Sequence, residues 1–177
     1  MRMTYDEIKN DSEVIALQFG LSKKEVPSFF SPLKRMGLHL LVYFLFSFFS
    51  YFLMPEGSDK LAWFCALAFG VVNWIFIIGF IFGYEFIFSV VNDPKVNELK
   101  LVKVLKRKVR AYGMVWLVSL VLLGGVSLVT EMNLGALVIG NFIISLIGLL
   151  LFNVDISRYQ ISGMLGVASA LNQSFKK

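Results

Sequence analysis

From Leu61 to Val91 the chain carries a single charged side chain, Glu85, within an otherwise apolar run. One bilayer crossing needs about 20 such residues. The run is longer than that, so it tilts or protrudes from the membrane. Other apolar stretches precede and follow it. They predict an all-α membrane protein with four transmembrane helices in two hairpins, at about 37–54, 63–88, 111–130 and 134–153. Composition agrees: 57% of residues are apolar, mean hydropathy is +0.73, and 18 are Phe. Soluble domains sit at about 45–50% apolar. A water-facing fold of this length cannot hide that much aromatic surface.

Charge sets the orientation. The stretch 93–110, DPKVNELKLVKVLKRKVR, holds 7 of the 17 Lys and Arg residues. Lys and Arg in short loops stay on the cytoplasmic side. Segments 1–36, 92–110 and 154–177 hold 6, 7 and 3 bases, which is 16 of the 17. The loops 55–60 and 131–133 hold one base and three acids. The alternation predicts a multi-pass chain with both termini in the cytoplasm. No cleavable leader is expected, because the first apolar run starts near Gly37 and ends in YFLMPEGS without a small-residue cleavage site.

The polar segments divide the chain further. Residues 1–30 form a cytoplasmic amphipathic segment: Thr4 and Glu7 have capping-box spacing, and Tyr5, Ile8, Ile15 and Phe19 share a helical face. Gly20 ends this helix and Pro27 keeps the adjoining stretch extended. Ser31-Pro32 and Asp93-Pro94 each read as a cap followed by proline at the first helical position. The helix opened at Pro94 is expected to run unbroken into the span Gly113–Thr130. Residues 31–153 make the transmembrane domain. In the tail, 154–177, Ile161, Met164, Leu165, Ala168, Leu171 and Phe175 fall on one face.

Candidate residues fall into three groups. Lys100, Lys103, Arg107 and Arg110 lie on one face of the central basic helix, as a solvated face or one that meets anionic lipid headgroups. Ala62, Ala66 and Gly70 recur every four residues, and Gly79 and Gly83 form a GxxxG. Small residues at that spacing let helices approach closely in lipid, within the chain or in a homo-oligomer. Asn73, Glu85 and Asn141 are polar residues inside apolar runs. Glu85 either pairs with the basic stretch or couples protons; interhelical hydrogen bonds suffice for the asparagines. His39, the sole histidine, reads as structural, and Cys65 as a small core residue.

Motifs for chemistry are lacking: there is no HExxH, CxxC, Walker loop or GxSxG, and no carboxylate pair with acid–base spacing. Neither an enzyme nor a cofactor is expected. No nucleic-acid motif accompanies the basic run, so lipid is the expected anionic partner.

The order of a span, then ISRYQISGMLGVASALNQ (156–173), then a basic end resembles the TraS entry-exclusion proteins of F-like conjugative plasmids. Size, Phe-rich spans and the basic central stretch match across the chain. The resemblance implies a multi-pass protein of the bacterial inner membrane that blocks redundant conjugative DNA transfer into a plasmid-bearing recipient by recognising the donor's TraG mating-pair protein. It assigns no recognition residues. A small transporter or channel subunit using Glu85 and Asn73, and a lipid-binding scaffold, are the alternatives.

Overall fold

The structure, a computed structural model, describes residues 3–21, 30–53, 59–90 and 94–174. Among them are five long helices and one helical turn, with no strand: α1 (Tyr5–Leu21), α2 (Phe30–Phe52), α3 (Lys60–Val90), α4 (Pro94–Asn97), α5 (Lys100–Val129) and α6 (Leu134–Ser174). Three windows are long and apolar enough to cross a membrane: Lys60–Gly79, Lys100–Val129 and Leu134–Tyr159. A shorter apolar stretch covers Met36–Phe52. Large apolar side chains stand exposed along these helices, Leu122 at 67% and Leu150 at 60% among them. In water such surfaces would drive aggregation, so the chain is built for an apolar surrounding.

The residues sort into two compact units. One comprises Met1–Pro27, Glu85–Ala111 and Leu150–Lys177; the other comprises Ser28–Tyr84 and Tyr112–Leu149. The first, the charged unit, has a core of Ile8, Leu101, Val104 and Tyr159, with Met3, Ile15 and Leu105 against it. Val96 and Val102 form a second cluster with Ile15 and Leu99. The second, the apolar unit, packs Tyr43, Leu120, Leu134, Leu137 and Val138 together. A further cluster there joins Met36, Trp74, Ile77 and Ile78 to Trp116 and Leu149.

Helix α1 starts as its spacing predicts. The Thr4 N–H donates to Glu7 Oε2 at 2.9 Å and the Glu7 N–H to Thr4 Oγ1 at 3.3 Å, a reciprocal capping box. Its buried face differs from the sequence expectation. Ile8 and Ser12 are buried and Ile15 partly so, whereas Tyr5 is 78% exposed. Tyr5 lies in the first turn, just before the face that meets α5. The helix runs through Gly20 to Leu21, so Gly20 does not end it as its lack of a side chain suggested; the Phe19 side chain and Pro27 lie outside the described residues.

The central helix is not continuous. A break at Glu98 and Leu99 separates α4 from α5, and the Leu99 N–H turns back to the Val96 carbonyl at 3.2 Å. The break exposes fresh N-terminal amides on α5, and Asp11 of α1 accepts one of them: Leu101 N–H to Asp11 Oδ2 is 2.8 Å. At the other end, α6 passes Asn153 without interruption, so span and tail are one helix. Asp93, the loop residues 54–58 and the side chains proposed for the tail's apolar face lie outside the described residues.

Candidate functional site

The most densely charged part of the chain is the N-terminal half of α5 with its neighbours. Lys100 Nζ donates to Glu7 Oε1 at 2.6 Å, tying α5 to α1. Glu7 is partly exposed; its bond from Lys100, then its bond from the Thr4 amide, hold its carboxyl below the ordinary carboxylate value. Further along α5, Lys108 pairs with Asp155 of α6, and Arg158 Nη2 reaches the same carboxylate at 2.8 Å. Both cations also lie over the Tyr159 ring, Arg158 at 4.9 Å and Lys108 at 5.6 Å from its centre. Lys106 donates to Asn97 Oδ1 at 2.5 Å across the α4–α5 break.

The predicted basic face is thereby divided. Lys100 is half-buried and committed to Glu7, whereas Lys103, Arg107 and Arg110 are exposed. None of these three has an ion-pair partner among the described residues. Asp11 and Asp155, which organise the unit, stand out in no sequence pattern. The α5 groups they hold are about ninety and fifty residues away in the chain, and only the fold joins them, although Asp155 also has a local partner in Arg158.

The small-residue positions separate in the same way. A Cβ on Gly70 would run into the phenol of Tyr43 on α2, whose hydroxyl donates to the Leu67 carbonyl at 3.3 Å. Ala66 packs against the same core. Ala62 and Gly79 are exposed, and a Cβ on Gly79 would meet nothing within 4 Å. The close approach is thus at one turn of α3, where α2 leans in. The side chains at 80–90, and with them the surroundings of Gly83 and Glu85, lie outside the described residues. Two close approaches lie outside the α3 ladder: Gly124 against the Phe46 ring and Gly140 against Leu123. Cys65 is exposed on α3, against the core position expected for it, because the buried face of that helix runs through Gly70, Asn73, Trp74 and Ile77.

Polar groups are also buried in the apolar unit. His39 Nε2 lies 3.0 Å from the Gly113 carbonyl, which can only accept, so Nε2 carries the hydrogen. The imidazole stacks on Trp116 at 4.7 Å, and Trp116 Nε1 donates to Asn141 Oδ1 at 2.9 Å. Asn141 therefore joins α6 to α5 by an interhelical hydrogen bond. Asn73 Nδ2, His39 Nδ1, Trp74 Nε1 and Ser145 Oγ are buried without a partner among the described residues. Asn133 forms the firmest lock. Its amide nitrogen donates to the Ser50 carbonyl at 2.9 Å, its amide oxygen accepts from the Ser50 hydroxyl, and the same oxygen caps Leu134 N at 2.6 Å.

Among the described residues no three His, Cys, Asp or Glu side chains gather where a metal ion can sit. Comparison with known proteins returns no matching family model, no matching curated protein and no matching solved structure.

Proposed function

We propose that this chain is a non-catalytic, multi-pass protein of the bacterial inner membrane. It acts in entry exclusion, blocking redundant conjugative DNA transfer by recognising the donor's TraG-like mating-pair protein. Four crossings place both termini in the cytoplasm. The three long apolar windows support three of them. Met36–Phe52, rising about 25 Å at about 1.5 Å per residue, is at the short end of what the fourth requires.

The observation that carries the recognition reading is the composition of the charged unit. It gathers the N-terminal segment, the central basic stretch and the C-terminal tail, three parts far apart in sequence, into one body. A specific interface needs about 20–30 residues from each partner. The turn Glu131 to Asn133 is short, and Asn133 in it is buried. The charged unit offers enough surface, and it contains the tail 156–173 that carries the resemblance to entry-exclusion proteins.

The test expresses the chain alone in a plasmid-free recipient and scores conjugation from matching and non-matching donors. A fall confined to the matching donor is expected; equal frequencies remove the exclusion reading. Exchanging 1–30, 94–110 or 156–177 with a differently specific relative then moves the specificity. Topology is tested separately: reporter fusions after Lys177 and within 94–110 read as inside, and one at Asn133 as outside.

A transport reading is favoured by one observation, the buried nitrogens of Asn73 and His39 that have no partner among the described residues. It makes Glu85→Gln and Asn73→Leu inactive at normal expression. Under the exclusion reading both variants still exclude wherever they fold.

A further inference from the structure

We propose that Lys103, Arg107 and Arg110 form a binding site for the phosphates of anionic phospholipids. Six cations of the charged unit contrast with one another. Lys100, Lys108 and Arg158 each meet a carboxylate. Lys103, Arg107 and Arg110 meet none among the described residues and are exposed.

Their spacing, four and then three residues, stacks them on one face of α5 over a rise of about 10 Å. Like charges that close repel one another, so the stripe weakens its own helix unless an anion lies over it. Its two guanidiniums can each present a planar fork to phosphate oxygens, and Lys103 adds a point charge.

The rest of the helix determines which anion lies over the stripe. Beyond Arg110, α5 belongs to an apolar window able to cross a membrane, and Met114, Val118 and Val121 on it are exposed. A helix that enters lipid just past Arg110 brings its last cations to the level of the headgroups. Juxtamembrane cations there gain about 1 kcal/mol each from an anionic surface, or about fivefold in affinity. Nucleic acid offers the same phosphate chemistry, but only the bilayer is brought to the stripe by the helix itself. The site rests on the membrane reading and is independent of the exclusion reading.

The test uses the full chain in vesicles of phosphatidylcholine and phosphatidylglycerol. Native mass spectrometry reads the ratio of the two lipids retained on the released protein. Phosphatidylglycerol is expected to be favoured. K103Q, R107Q and R110Q should each lower that preference by about fivefold, and added salt should narrow it. K108Q removes a cation already paired with Asp155, so it should lower stability and leave the lipid ratio in place. Circular dichroism confirms that the exposed-site variants keep their helices. The proposal is overturned by an unselective wild type, or by a triple variant as selective as the wild type. Stripe-dependent binding of a single-stranded oligonucleotide tighter than that of phosphatidylglycerol would also overturn it, assigning the stripe to nucleic acid. A chain that does not enter vesicles ends the membrane reading and this site with it.

Discussion

The two units are held by different chemistry. In the charged unit, formed by 1–27, 85–111 and 150–177, the fastenings are carboxylates: Glu7 on Lys100, Asp11 on an α5 amide, Asp155 between Lys108 and Arg158. In the apolar unit, 28–84 with 112–149, they are neutral: Asn133 with Ser50, Trp116 with Asn141, His39 with a carbonyl, and glycines under aromatic rings. No ion pair falls in the apolar unit among the described residues. Removing a charge from water costs several kcal/mol even when it is paired, and more in lipid. A neutral hydrogen bond carries a far smaller desolvation cost and still fixes geometry. The partition matches a chain with one part in hydrocarbon and another where water or headgroups reach it.

The largest expected effects therefore come from breaking neutral contacts in the apolar unit. Asn133 holds a left-handed backbone (φ 47°), caps α6 and bonds Ser50, which is fully buried. Asn133→Ala loses the cap and leaves Ser50 unpaired, at a cost of about 3 kcal/mol. Asn133→Gly keeps the backbone conformation and should cost measurably less. Unfolding in mild detergent orders the two; equal losses would mean that the backbone conformation at this turn carries no energetic weight. Gly70→Ala comes next. Its Cβ forces Tyr43 aside, at about 1–3 kcal/mol. Gly79→Ala on the same helix, with open space around it, should be neutral or slightly stabilising. If both behave alike, the contact of α2 on α3 is not a tight one.

These positions show what could be read from the sequence. The apolar windows, the Thr4–Glu7 cap and the small residue at Gly70 announce themselves through local period or spacing, and local physics suffices for each. Asn133 does not: the sequence presents it as one residue of an outward turn, and only the approach of Ser50, eighty-three residues earlier, makes it buried. The α4–α5 break is similar. Residues 94–110 have a good helical pattern, but a carboxylate from α1 satisfies the amide that a break exposes, so the interruption costs little. Tyr5 departs from its expected face because a helical period predicts which residues align, not how far along the neighbouring helix reaches. Lys100 and Lys103 look equivalent in sequence, yet only Lys100 lies beside a carboxylate.

Asp11 gives a mid-sized test from the charged unit. A carboxylate at a helix N-terminus contributes about 1 kcal/mol through its hydrogen bond and the helix dipole. Asp11→Ala should lose about that much, with hydrogen exchange rising in α1 and the first turn of α5 while 112–149 stays protected. Asp11→Asn keeps an acceptor oxygen and should retain part of it. A uniform rise along both units would mean that they unfold together and that the comparison has no energetic content.

The smallest effect is the one that pH controls. Glu7 donates nothing; its ionised carboxylate accepts from Lys100 and from the Thr4 amide, and both favour the charged form, so its folded value lies below the ordinary one. For a depressed carboxylate the contribution is complete above the unfolded value, near 4.5. It is lost as pH falls through the lower folded value, because protonation then removes the acceptor from Lys100. The pair is open to solvent, so salt should weaken it as well. Hydrogen exchange across 5–21 should therefore quicken, relative to intrinsic rates, on acidification below that point, and Glu7→Gln should show the faster exchange already at neutral pH with no further acid step. The described side-chain hydrogen bonds of 112–149 join only neutral groups, the His39 bond to Gly113 aside, so that region should respond far less over the same interval. An acid response of equal size in that region would show that proton uptake there, and not at Glu7, governs the fold.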